Sequence, residues 1–216
     1  MRQGERAEYG GYQVCLFPLD YLYITQTSSP SSLSHCCGHP CDYIGSYWNY
    51  PFYAPCDCHL TYQDNVGNTR GYTSNAPVWT PSGLHYVTFS FTHDNNPPVV
   101  QGFTQGDLIG HTGTAGMVTG DHVHIDQSLR ANARLVSYGY YCAYGNLCYA
   151  LQDSTYPMNV FYLTGSETIV DTKGYSFTKW DGSITPPIPP TPPTPEPPTR
   201  FKWWLGRNKF RKDVIK

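Results

Sequence analysis

The residues able to do chemistry are histidines and aspartates, and their spacing is suggestive. His35 and Asp42 lie in Ser-His-Cys-Cys-Gly-His-Pro-Cys-Asp-Tyr-Ile-Gly; His93 follows Phe-Thr; His122 and His124 form His-Val-His inside Thr-Gly-Asp-His-Val-His-Ile-Asp. In a strand, residues two apart share a face, so His122 and His124 project together while Val123 and Ile125 turn away. Two imidazoles on one face suit a borderline cation such as zinc. A carboxylate and a further imidazole complete a His2Asp set, and a catalytic zinc keeps its fourth position for water. His-x-His alone is weak evidence, and His-x6-Asp is weaker. The information lies in their order, with Gly-Asp-Leu-Ile-Gly-His-Thr-Gly-Thr-Ala-Gly (106–116) placed between them.

Strands and turns must position these side chains. Leu84–Thr92 alternates His85, Val87, Phe89 and Phe91 against Tyr86, Thr88, Ser90 and Thr92, the period-2 pattern of a strand. Asp121–Asp126, Asn159–Leu163 and Glu167–Val170 alternate in the same way. No apolar stripe of helical period has useful length, although Asp126–Val136 has room for one short helix. The expected fold class is all-β: mainly antiparallel sheet with long loops, followed by a Pro-rich extended linker and a short basic tail.

Composition agrees. The 216 residues hold 19 tyrosines and only 14% charged residues, which favours strands and turns over surface helices. No stretch approaches the ~20 apolar residues of a membrane span, and the first residues lack the apolar run of a secretory signal. Nine of the 19 prolines lie between Pro186 and Pro198. Fixed φ and missing N–H groups make that segment an extended rod of roughly 40 Å. After position 199, seven basic residues face the single acid Asp213. Such a tail, with Trp203 and Trp204, fits an anionic or interfacial partner such as wall polymers, a membrane surface or a virion protein. The acidic remainder of the chain argues against nucleic acid as the main partner.

The ordered set His35-x6-Asp42, Phe-Thr-His93, Gly-Asp-Leu-Ile-Gly-x-Thr-Gly-Thr-Ala-Gly and Gly-Asp-His122-Val-His124-Ile-Asp resembles the lysostaphin-type zinc endopeptidases, which cut peptide bonds in bacterial peptidoglycan. It is most similar to the forms found in bacteriophage lysins, over residues 23–179 or so. The resemblance implies His35, Asp42 and His124 as ligands of one Zn2+, with His93 and His122 as catalytic, non-ligand histidines. It implies a small antiparallel sheet with a groove over the metal, peptidoglycan as substrate, and a setting in a phage. There the enzyme would act at entry, as a virion tail component, or at release from the host cytoplasm. Residues 1–182 are then the peptidase domain (core 23–180), 183–199 the linker and 200–216 the tail. The alternatives are a non-catalytic wall-binding or tail structural module that kept the fold, and a Cys/His-rich structural zinc protein.

Several residues leave choices open. His39 offers a second register for the first ligand, and the phage-type pattern favours His35. Asp126 fits either an outer-sphere partner or a surface acid. The crowding of Cys36, Cys37, Cys41, Cys56 and Cys58 admits free thiols, disulfides or a second metal site, the last being least expected. Cys142-x5-Cys148 has the spacing of a small closed loop, and Cys15 is left over. His59, His85 and His111 read as structural. Tyr43, Tyr47, Tyr50, Tyr53, Tyr72, Tyr138, Tyr140 and Tyr141 are candidates for a peptide groove, although most of the chain's tyrosines are expected in packing.

Overall fold

A computed structural model describes residues 1–182 apart from 33, 117, 143, 144 and 146; the linker and tail expected at 183–216 lie outside the described residues. In chain order the strands are β1 (Glu8–Tyr9), β2 (Tyr12–Gln13), β3 (Tyr21–Thr27), β4 (Cys41–Tyr43), β5 (Pro51–Tyr53), β6 (Cys58–Asp64), β7 (Thr69–Ser74) and β8 (Val78–Thr80). There follow β9 (Gly83–His85), β10 (Thr88–Thr92), β11 (Gly102–Phe103), β12 (Leu108–His111), β13 (Val123–Ser128), β14 (Leu135–Tyr141), β15 (Leu147–Leu151) and β16 (Thr168–Asp171). One eight-stranded sheet runs β11-β6-β7-β10-β13-β4-β3-β16, and smaller pairs β5–β12 and β14–β15 pack beside it. The sheet is antiparallel except where β16 joins β3 in parallel. The fold is all-β, and among the described residues no helix is long and apolar enough to cross a membrane.

One face of the sheet makes the core. Phe89, Phe91, Val123, Ile125, Cys41, Tyr43 and Ile24 are buried there against Phe17, Phe52, Ile109 and Phe161. Burying each large apolar side chain contributes about 1.5–3 kcal/mol. The opposite face carries Asp42, His124 and Asp126. Its Asp126 end is covered by β15, whose Leu151 N donates to Asp126 Oδ2, and its Asp42 end lines an open cleft. This explains why Thr88 and Ser90 on β10 are as buried as Phe89: the Thr88 hydroxyl donates to Arg130 O at 2.6 Å beneath the following turn.

Several local expectations fail for physical reasons. The single strand over Leu84–Thr92 is two strands, interrupted at Tyr86–Val87, because β9 turns away to pair with β8. No helix forms over Asp126–Val136: β13 runs to Ser128, Asn132 turns the chain at φ 54°, and β14 begins at Leu135. Asn159–Leu163 is not a named strand. Its alternation reflects burial between two segments, with Tyr162 N donating to Cys15 O at 2.9 Å and Leu163 N to Thr178 O at 2.9 Å.

The cysteines are also redistributed. Cys142 and Cys148 do not close a loop with each other. Cys36 pairs with Cys142 and Cys37 with Cys148, which ties the segment after His35 to the β14–β15 hairpin. Cys15, Cys41, Cys56 and Cys58 are free thiols buried in the core, so Cys56 and Cys58 do not combine with Cys37 and Cys41 in a second metal site.

Candidate metal centre

Strand register brings the chemistry together. Gln26 on β3, Asp42 on β4, His124 on β13 and Thr92 on β10 are successive cross-strand partners, forming one row on the open face. His35 completes the group from a loop. His124 Nδ1 lies 2.9 Å from His35 Nε2 and 3.2 Å from Asp42 Oδ1, and His35 Nε2 lies 3.3 Å from Asp42 Oδ1. Zn–N and Zn–O bonds of ~2.0–2.2 Å in a tetrahedral shell require neighbouring donor atoms roughly 3.3 Å apart. Two imidazole nitrogens and a carboxylate oxygen at these separations fit such an ion in both size and chemistry.

Electrostatics act differently on the three groups. Burial pushes the His35 pKa down, keeping its ring neutral. Burial opposes ionisation of Asp42, but the hydrogen bonds from His124 and His35 prevail and hold the carboxyl far below its ordinary range. For His124, burial favours the neutral ring, and the contact with Asp42 outweighs it and raises the pKa.

His35 is held from both sides. Gln26 donates its amide to the hydroxyls of Ser32 at 3.0 Å and Ser34 at 2.8 Å, and His35 N donates to Ser32 Oγ at 2.9 Å. On the other side, Cys36 and Cys37 are fastened to the hairpin. His39 lies outside the cluster: its N–H donates to Ser154 Oγ at 2.8 Å and its ring stacks 3.9 Å from Tyr156.

His93 and His122 sit at the rim, with ring centroids 4.6 Å apart. His122 Nδ1 donates to Gly120 O at 2.9 Å and His93 Nδ1 donates to Ala115 O at 2.7 Å. Since a carbonyl only accepts, each neutral ring keeps a lone pair on Nε2. His122 Nε2 stands 3.7 Å from Asp42 Oδ1. Burial, then the charge of His124, pushes the His93 pKa down to about 4.

The glycine-rich segment exists to hold His93. This residue ends β10 with φ 86°, a strained conformation for a side chain other than glycine. Its N–H donates to Gly67 O at 2.7 Å, and its carbonyl accepts from Ala115 N at 3.0 Å. A Cβ on Gly113 would lie 2.2 Å from His93 O, and one on Gly116 would lie 2.8 Å from Gly67 Cα. Both glycines permit a close approach that no other residue allows.

Asp126 is not a surface acid. It is 3% exposed, and it accepts from Gln127 N at 2.9 Å, Leu151 N at 2.7 Å and Ser154 Oγ at 2.5 Å. It braces β13 against β15. Of the other histidines, His59 Nδ1 meets Asn75 Oδ1 at 2.8 Å and His85 Nε2 meets Ser82 O at 3.2 Å, both outside the core. His111 ends β12, with its N–H on Asp94 Oδ2 at 2.8 Å. Among the candidate groove tyrosines, Tyr43, Tyr50 and Tyr72 are core residues and Tyr53 is half-buried, whereas Tyr47, Tyr138 and Tyr141 are exposed. A cleft of about 300 Å³ opens beside Asp42 and His122, lined also by Gln26, Ile44 and Asp121.

No family model matches the chain. Over 119 residues it is 35% identical to Morphogenesis protein 1 of Bacillus phage B103. The match covers 54% of this chain and 32% of that protein, so the chain spans about a third of its curated relative. Among solved structures, a zinc containing peptidase from Vibrio cholerae aligns at TM-score 0.39 and 15% identity, over 65% of this chain and 40% of that one. The catalytic domain of the antimicrobial peptidase lysostaphin from Staphylococcus simulans aligns at TM-score 0.37 and 17% identity, over 50% and 81%.

Proposed function

We propose that residues 1–182 form a zinc-dependent endopeptidase that cleaves peptide bonds in bacterial peptidoglycan on behalf of a phage, with 183–199 a spacer and 200–216 an attachment tail. One observation carries this reading: three donor atoms, from the loop at His35, from β4 and from the distant β13, lie within 3.3 Å of one another beside two further histidines and an open cleft. The sequence similarity to a phage morphogenesis protein supports the phage setting.

His35, Asp42 and His124 would hold the ion. Bound there, zinc supplies Lewis acidity to a water nucleophile and to the carbonyl that it attacks. The chain's own groups handle the protons. His122 Nε2 faces Asp42 with its lone pair free, so it accepts the proton of the attacking water and returns it to the leaving amine. His93 begins as an acceptor at Nε2, because its Nδ1 proton is committed to Ala115 O. It could therefore donate to a developing oxyanion only as an imidazolium, a form that its pKa of about 4 makes scarce at neutral pH.

Digestion of defined muropeptides, with products weighed by mass spectrometry, tests the reading. Wild type should bind one zinc and release peptide-cleaved fragments. His124→Ala should lose the ion and about 10³-fold or more in rate, while His122→Gln should keep the ion and lose 10²–10⁴-fold. Equal wall clearance by wild type and His124→Ala would reject the enzyme in favour of a non-catalytic wall-binding module.

A further inference from the structure

The turn between β4 and β5 is built with unusual care, yet its tip displays two large aromatic rings to solvent. Trp48 is 74% exposed and Tyr47 59% exposed, while Tyr50 beside them is buried. The backbone is pinned at several points. Asn49, at φ 60°, donates its N–H to Asp121 Oδ2 at 3.0 Å. Tyr50 N donates to Thr112 Oγ1 and Thr112 N to Tyr50 O, both at 2.8 Å. The Thr112 hydroxyl in turn donates to Asp121 Oδ1. The Tyr50 hydroxyl donates to Asp20 Oδ1 at 2.8 Å, and its ring lies 4.6 Å from that of Tyr47. Gly45 leaves the space that the Tyr50 ring occupies, since a Cβ there would come within 2.0 Å of it. Asp121 immediately precedes His122 and lines the cleft with Ile44, so the turn that carries the aromatic tip is anchored through Asn49 to a residue of the cleft wall.

A rigid, exposed tryptophan marks an interaction surface: it offers large contact area and loses little side-chain freedom on binding. The chemistry of the turn selects the partner. Gly45–Pro51 contains no charged residue, and the two side chains that pin the turn, Asp20 and Asp121, are acidic, with Arg2 answering Asp20 at 3.9 Å. The turn itself offers an anionic phosphate polymer no cation to pair with. A lipid surface needs a continuous apolar patch, whereas these rings alternate with Ser46, the Tyr47 hydroxyl and Asn49. A pyranose ring matches both features, with C–H groups on its face for the rings and hydroxyls at its edge for the polar rim.

We propose that Trp48 and Tyr47 form a binding platform for a sugar ring of the glycan strand, holding the polysaccharide beside the cleft in which its attached peptide is cut. The inference rests on the peptidoglycan reading, and its test separates the two. On the His124→Ala background, which binds without cutting, adding Trp48→Ala should weaken binding to purified cell-wall sacculi and to an N-acetylglucosamine tetramer by about tenfold, and Trp48→Phe should restore most of it. In the metal-loaded chain, Trp48→Ala should cleave a glycan-free cross-linked peptide within about twofold of wild type. Unchanged binding of both glycan probes overturns the platform. A slowing on the glycan-free peptide as large as on the wall also overturns it, and assigns the turn to the peptide. If the tetramer binds through Trp48 but no muropeptide is cleaved, the enzyme assignment fails while the sugar platform stands.

Discussion

Two ligand-rich clusters lie next to each other, and their chain positions overlap: His35 belongs to one, Cys36 and Cys37 to the other. Both bring three metal-binding atoms within 4.8 Å of one another, in the first group His35, Asp42 and His124, in the second Cys36, Cys142 and Cys148. They differ in what the atoms are free to do. The histidine group presents lone pairs toward a shared point, with the His124 side chain 21% exposed beside an open cleft. The sulfurs are spent in disulfides, Cys36 with Cys142 and Cys148 with Cys37, and closed in by Ala150. Residue types that read alike in the sequence thus divide into a candidate centre and a clamp, and the clamp holds the one proposed ligand that no strand positions.

The largest effect should come from removing a ligand. Asp42→Ala deletes the only carboxylate of the centre and leaves two buried imidazoles facing each other. Zinc affinity should fall by more than the ~10–100-fold that loss of an outer-sphere partner costs, as read by competition with a chromophoric chelator. Both disulfides should persist in that variant by thiol titration. If zinc stoichiometry stays at one per chain, the centre lies elsewhere.

The clamp should show itself next, and non-additively. The two disulfides span 106 and 111 residues in sequence. Once either is closed, the other completes only a short ring through Cys36–Cys37 and Cys142–Cys148. On the chain-entropy account, losing one bond therefore costs about 2.5 kcal/mol, whereas losing both also forfeits the long loop, worth about 4.7 kcal/mol more. Denaturant unfolding of Cys37→Ala/Cys148→Ala against the fourfold Ala variant measures the difference. The fourfold variant, still folded at low denaturant, should bind zinc about tenfold more weakly because His35 is then held from one side only. Unchanged zinc affinity would mean that the Gln26–Ser32 contact suffices alone.

The all-β character was legible in the sequence, whereas this division was not, for physical causes. Period-2 patterning placed His122 and His124 on one face because alternation is local. The strand character of 168–170 was local in the same way. The row Gln26–Asp42–His124–Thr92 depends on register between residues up to 82 positions apart, which no local pattern encodes. Burial on both faces of β10 and the pairing of Cys36 with Cys142 are likewise long-range facts. Gln26 carried no signal, since a lone glutamine resembles any surface polar residue. Gly113 and Gly116 stood within a visible motif, but the reason for them, the left-handed backbone of His93, appears only in three dimensions.

His39 gives the smallest effect and tests the border between the two clusters. By spacing it competes with His35 for the first ligand position, and it follows both clamp cysteines by two or three residues. In the fold its ring rests against Tyr156 and its carbonyl accepts from Gln127 Nε2 at 3.1 Å, so it faces β13 and the segment after β15 rather than the centre. Burial pushes its pKa down, as expected of a ring packed for shape. His39→Ala should keep one zinc per chain and full muropeptide cleavage, while losing the ring contact at a cost of about 0.5–1.5 kcal/mol in thermal unfolding. His35→Ala should do the reverse to the metal. If His39→Ala empties the site and His35→Ala does not, the ligand register moves by four residues, and the clamp then holds an ordinary loop rather than a ligand.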